Sequence, residues 1–298
     1  MKKTIIALAV LSSAAYAFDD TVWTFENSLN SKTGSGFHDV ASPTYGKYVT
    51  TETTNEQGQT STTTTWVGGT ATYVDSELVA GTQFGQYFLD RDLGKAVKLT
   101  DSNFIKLGDA YWSQGDGALG CGTNYSTSYT LMAWVKFDQI SGAQAMFGTG
   151  DGGDKGILFS LIDGDKMNLC SKTVADCRSK SLTLSKDTWY NMAVSYDSTT
   201  NKVSYYLNGS LIGSATMADR YNNAGGAGAA IGSGAKDTAK DVMSGAIAEF
   251  QILNGAYSQE QILKAAGLSK PSPSIPEPTT ATLSLLALAG LAARRRRK

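Results

Sequence analysis

The segment Trp189–Ser214, WYNMAVSYDSTTNKVSYYLNGSLIGS, constrains the fold of this chain more than any other. Tyr190, Met192, Val194 and Tyr196 alternate with Asn191, Ala193 and Ser195, which puts a mostly apolar face on one side of a strand. Asp197–Lys202 is a polar turn cluster. Val203, Tyr205 and Leu207 then share a face, and Asn208-Gly209 supplies the pair of positive-φ positions that a two-residue hairpin demands. Ser210–Ser214 returns alongside. The spacing predicts a three-strand antiparallel meander.

The same residues resemble the signature of the LamG-like (laminin G, concanavalin A-like) sandwich family: W-Y-N-M-A-V-S-Y-D, then V-S-Y-Y-L-N-G-S-L-I-G-S. Tyr190 stands where the family often has His. Three further segments agree. The pair of strands in GKAVKLTDSNFIKLGD and the strand Ser128–Phe137 (SYTLMAWVKF) match family strands, and MSGAIAEFQILNGAYSQEQI matches the family's C-terminal segment, with Ala248 replacing a frequent Asp. TVWTFENSLNS resembles the opening strand. The resemblance covers about Phe18–Gly267 and implies an all-β fold, a two-sheet antiparallel jelly-roll sandwich with a short C-terminal helix. The first strand, near Trp23, is expected beside the last, near Phe250.

Both ends of the chain read as addresses. Lys2 and Lys3, the apolar run Ile5–Leu11 and Ala15-Tyr16-Ala17 form a signal peptide over residues 1–17, with cleavage after Ala17. A sandwich domain is expected over 18–268, followed by a Pro/Ser linker over 269–275. Residues 276–298 hold Pro276-Glu277-Pro278, roughly 15 mostly apolar residues and the basic run Arg294–Lys298. As a helix that apolar stretch covers roughly 22 Å, short for a bilayer core. The three parts in this order resemble a PEP-CTERM sorting signal. That resemblance implies export, transient inner-membrane anchoring and processing by an exosortase-type enzyme near the Pro-Glu-Pro. It also implies delivery to the cell surface or extracellular matrix. A permanent tail anchor is the alternative.

Seven of the 26 basic residues leave with the two end segments, so the mature chain, with 19 basic against 27 acidic residues, is near −8, or −7 if Glu277 leaves as well. An acidic surface disfavours nucleic acid and anionic lipid as partners. Three cysteines cannot all pair. Cys170 and Cys177, in NLCSKTVADCRSK, are the favoured disulfide, with Cys121 the alternative partner of either. The single histidine, His38, lacks a second ligand at metal spacing, which argues against zinc.

Other strands are expected at Thr21–Phe25, Tyr45–Val49, Phe104–Leu107, Gly245–Leu253, and around the turn Asp163-Gly164-Asp165. In Ser128–Phe137, Leu131, Ala133, Val135 and Phe137 face one way and Met132 and Trp134 the other, so a central strand apolar on both faces is expected. Thr50–Thr65 is nearly all polar and is either a long exposed hairpin or a loop. Ser258–Ala266 reads as a helix with Ser258 as N-cap, Gln261 completing a capping box and Gly267 as stop.

Little here carries chemistry. Retaining glycosidases need two carboxylates about 5 Å apart, and the chain's seven Glu make no E-x-D-x-E set. Asp163 and Asp165 flank a turn glycine and read as structural. Asp151 and Asp154, in GTGDGGDKG, are weak calcium candidates, with a plain turn the commoner role for such residues. No catalytic residue and no cofactor are assigned. The expectation is an exported bacterial surface or matrix protein whose sandwich is a non-catalytic carbohydrate-binding module, with an extracellular polysaccharide or glycan as partner. The alternatives are a structural exopolysaccharide or envelope component without a discrete ligand and, less favoured, a glycoside hydrolase. Exposed Tyr or Trp stacked on one concave sheet would favour the first reading over the second, and a groove holding paired carboxylates would favour the third.

Overall fold

The computed structural model describes residues 20–26, 28–29, 43–100, 102–107, 128–149, 157–169, 178–216, 229–234 and 239–271. Among these, the strands form three sheets of eight, seven and three strands, with every strand pairing antiparallel. The eight-stranded sheet runs β15 (Ser210–Thr216), β14 (Lys202–Leu207), β13 (Trp189–Asp197), β9 (Tyr129–Phe137), β17 (Gly245–Asn254), β7 (Lys95–Leu99) and β4 (Thr72–Asp75). Its eighth strand, β1 (Thr21–Trp23), pairs with β17 through Thr21↔Ile252 and Trp23↔Phe250. The seven-stranded sheet runs β12 (Lys166–Asn168), β11 (Leu158–Ile162), β10 (Gln144–Gly148), β16 (Ala230–Ile231), β8 (Phe104–Lys106), β2 (Thr44–Thr54) and β3 (Thr60–Gly68).

The predicted meander is β13–β14–β15. Asn208 (φ 49°) and Gly209 (φ 73°) make the two-residue turn that joins Leu207 to its partner Ser210. Between β11 and β12 the loop is three residues, Asp163 (φ 55°), Gly164 (φ 75°) and Asp165, joining Ile162 to its partner Lys166. A side chain at Gly209 would also strike Leu263, so that glycine serves both turn and packing.

The main core lies between the two large sheets. Leu131, Ala133, Val135 and Phe137 of β9 meet Met192, Val194 and Tyr196 of β13, Phe147 of β10 and Phe159 of β11, all fully buried. Burying each such large side chain contributes about 1.5–3 kcal/mol.

Alternation then turns Met132, Trp134, Trp189, Ala193 and Tyr206 to the outer face of the eight-stranded sheet, where a second core forms. Its cover is the three-stranded sheet of β18 (Leu268–Ser269), β6 (Tyr87–Leu89) and β5 (Gln83–Phe84), together with helix α1 (Gln259–Ala266). Phe84 packs on Trp134 with ring centroids 4.6 Å apart, and Ile262 and Ala266 of the helix are fully buried. The helix ends are as expected. Ser258 Oγ accepts from the Gln261 amide, Gln261 Oε1 accepts from the Ser258 amide at 2.9 Å, and Gly267 (φ 69°) closes the C-terminus.

Two expectations are refined. The sandwich carries a third layer that alternation alone could not supply, since β5, β6 and β18 are too short to show a period. The Thr-rich tract is a hairpin, β2 and β3, rather than a loop.

Candidate functional site

Gly46, Tyr48, Trp66 and Gly68 come together at the base of the β2–β3 hairpin. The register pairs Gly46 with Gly68 and Tyr48 with Trp66, and β8 adds Phe104 beside Gly46. Tyr48, Trp66, Phe104 and Lys106 thus share the outer face of the seven-stranded sheet. The Tyr48 and Trp66 rings meet edge to face at 5.2 Å, and Trp66 meets Phe104 in the same way at 5.1 Å. A Cβ at Gly46 would collide with the Val67 carbonyl oxygen and lie 2.8 Å from Trp66 Cζ2, so the missing side chain lets both the facing strand and the indole approach. Lys106 Nζ donates to Tyr48 Oη at 2.9 Å and sits 4.6 Å from the Trp66 ring centre. Phe104 is buried, while Tyr48, Trp66 and Lys106 are half-buried. The result is an amphipathic aromatic patch with a cation at its rim. The same contacts also fasten the hairpin to the sandwich.

A second concavity, an open groove of about 830 Å³, lies between β6, α1 and β18 and is lined by Asp90, Glu260, Lys264 and Lys270, with Tyr87 at its floor. Tyr87 Oη accepts from Gln86 at 3.0 Å and from Gln259 at 3.1 Å. Glu260 is exposed and the Asp90 side chain is 50% exposed.

Four other described carboxylates, Asp138, Asp163, Asp165 and Glu249, serve the fold through ion pairs. Asp163 lies 3.5 Å from Arg178, and Asp165 lies 2.8 Å from Lys166. The hydrogen bond from Lys166 holds the Asp165 carboxyl below its ordinary range. Lys98 bridges Asp138 at 2.7 Å. The buried Glu249 pairs with Arg91 at 2.6 Å. Among the described residues no group of three His, Cys, Asp or Glu could hold a metal ion. Among them no helix is long and apolar enough to cross a membrane. Asp151 and Asp154, the cysteines Cys121, Cys170 and Cys177, the cleavage site at Ala17 and the sorting motif Pro276-Glu277-Pro278 lie outside the described residues.

The aromatic patch was not legible in the sequence. Tyr48 and Trp66 lie at the two ends of a polar tract, and neither is close in sequence to Phe104 and Lys106. The usable signal was a Tyr and a Trp bracketing a symmetric run of threonines, which pairs them if the run folds back on itself.

An antiparallel two-sheet sandwich, its second face covered by a small third layer, is the class this fold defines. The chain belongs to the concanavalin A-like lectin/glucanases superfamily, whose Laminin_G_3 model matches residues 108–263, just over half of it. Residues 274–298 match the PEP-CTERM protein-sorting motif. No curated protein matches the chain. Among solved structures, it is similar to domain 4 of AbnA, a GH43 extracellular arabinanase from Geobacillus stearothermophilus, in complex with arabinotriose. That match has 20% identity and a TM-score of 0.55, covering 84% of this chain and 99% of that one. It is also similar to the CBM40 of the Ruminococcus gnavus IT-sialidase, with 12% identity and a TM-score of 0.44 over 57% of this chain and 96% of that one.

Proposed function

We propose that this is an exported, non-catalytic surface or matrix protein that binds carbohydrate on the outer face of its seven-stranded sheet, around Tyr48 and Trp66. The observation that carries this reading is the pair of half-buried aromatic rings on an open sheet face, with Lys106 at the edge. An aromatic face offers a flat apolar platform to the C–H side of a sugar ring, and Lys106 offers hydrogen bonds to its hydroxyls. The family and the sandwich shared with a domain described in complex with arabinotriose support it. The sorting motif supports processing by an exosortase-type enzyme after transient inner-membrane anchoring, with the product delivered to the surface or matrix.

A glycan array on residues Phe18–Ser274 tests the reading. Binding to at least one glycan class is expected, weakened about tenfold or more by Trp66→Ala or Tyr48→Ala with the fold intact. Glycan retention unaffected by both variants would refute this surface. Absence of retention altogether would favour the structural-component reading, and release of shortened sugars would favour the hydrolase.

A further inference from the structure

The four outer edges of the two large sheets are not treated alike. β4 is four residues long, and its Asp75 is bound to Lys95 at 2.6 Å. β12 is three residues long, carries Lys166 and is bridged by Arg178 through Asn168. β15 is broken by a register shift opposite Tyr205 and Tyr206. Short, charged or bulged edges are how sheets avoid joining their neighbours. β3 has none of these devices. It runs nine residues, TSTTTTWVG, without a charge, a proline or a register shift, and among the described residues its outer edge pairs with no strand.

The direction of its free amides follows from the hairpin. At the tip the Asn55 amide donates to the Gln59 carbonyl at 3.0 Å, and at the base the Gly69 amide donates to the Tyr45 carbonyl at 2.8 Å. Hydrogen-bonded and non-bonded pairs alternate along an antiparallel ladder. The bonded partners within β3 are therefore Ser61, Thr63, Thr65 and Val67. Thr60, Thr62, Thr64, Trp66 and Gly68 turn their amides and carbonyls outward. These five positions are symmetric about Thr64.

We infer that β3 is a self-association edge that pairs antiparallel with β3 of a second copy about a two-fold axis at Thr64. Thr64 then faces Thr64 of the second copy, Thr62 faces Trp66, and Thr60 faces Gly68. Every outward amide meets an outward carbonyl. No like charges oppose, because β3 carries none, and the Thr62 methyl packs on the indole opposite it. Beyond its pairing with β8, which spans Thr44 to Gly46, β2 carries Lys47 and Glu52, and Glu52 is one of the residues whose backbone turns to the outer edge. Those charges favour closure at a dimer over extension into a ribbon.

Sedimentation of the purified exported protein should show a concentration-dependent dimer. Thr64→Pro removes the outward amide and leaves the β2 ladder intact. It deletes both Thr64–Thr64 bonds, so the dimer dissociation constant should rise ~100-fold, about tenfold per bond. Thr64→Ala, which keeps the amide, should leave dimerisation unchanged. Thr64→Cys should cross-link two copies under oxidation, since directly opposed strand residues lie within disulfide reach. Thr63→Cys, on the other face and off the axis, should cross-link far less. A wild type that stays monomeric up to ~100 μM, well above the range of a micromolar dimer, overturns the proposal. So does a dimer that survives Thr64→Pro while the Thr64→Cys variant fails to cross-link, or intact-mass evidence that glycans on the Thr tract occupy the edge instead.

Discussion

Trp23 lies directly opposite Phe250, ring centroids 5.7 Å apart, where the first strand of the chain closes against the last long one. β1 and β7 share one edge of β17, β7 at Gly245–Ile247 and β1 at Phe250–Ile252. Phe250 also stacks on Phe147 of the opposite sheet at 5.2 Å. One side chain therefore ties the N-terminal strand, the C-terminal strand and both sheets. Phe250→Ala should cost about 3–5 kcal/mol and Phe250→Leu less than about 1.5 kcal/mol. Urea unfolding checks this, and a cost below about 1 kcal/mol for the alanine variant would contradict the packing role.

Arg91 reaches from the third layer to Glu249, which sits in the register shift of β17 at φ 43°. Removing Arg91 leaves a carboxylate that is only 7% exposed without its cation. Because Arg91 itself is 39% exposed, Arg91→Ala should cost about 2 kcal/mol, less than breaking a fully buried pair. Arg91→Ala with Glu249→Gln should cost clearly less than the sum of the two single changes. Additive losses in thermal unfolding would mean that the two groups act independently.

Burial, with the Asp20 carboxylate beside it, pushes the Tyr257 phenol up to about 12. An unfolded tyrosine ionises near pH 10, so the folded state holds this proton more tightly. The stabilisation is complete below about pH 10 and is lost as the pH climbs toward 12. Tyr257→Phe should make the alkaline fall in stability shallower in that window, while also removing the 3.1 Å hydrogen bond to Asp20. An unchanged slope in equilibrium unfolding between pH 10 and 12 would sink the assignment.

The tail match over 274–298 predicts a processed C-terminus. The basic run Arg294–Lys298 is costly to move across a bilayer, so export should stall there. Mature protein should end near Pro276 and lack that run. Intact-mass measurement of the surface fraction checks it. A mass that still includes Thr279–Lys298 would leave only a permanent anchor.

The features set by neighbours along the chain were legible in the sequence. The Asn208-Gly209 turn, the Ser258–Gln261 capping box, the Gly267 stop and the two apolar faces of Ser128–Phe137 depend on residues a few positions apart, and the structure shows each of them. The apolar second face of β9 announced that something must cover Trp134. What covers it is Phe84, Leu89 and Ile262, held in two- and three-residue strands and one short helix that only the finished sheet positions.

The candidate site belongs to the same second kind. Thr50–Thr65 left hairpin and loop open, because threonine alternation carries no apolar period to set a register. Tertiary structure set it, by pairing β2 with β8 and seating Trp66 over Gly46. A turn or a cap is decided by local backbone geometry. A surface built from Tyr48, Trp66, Phe104 and Lys106 exists only after strands distant in the chain have paired.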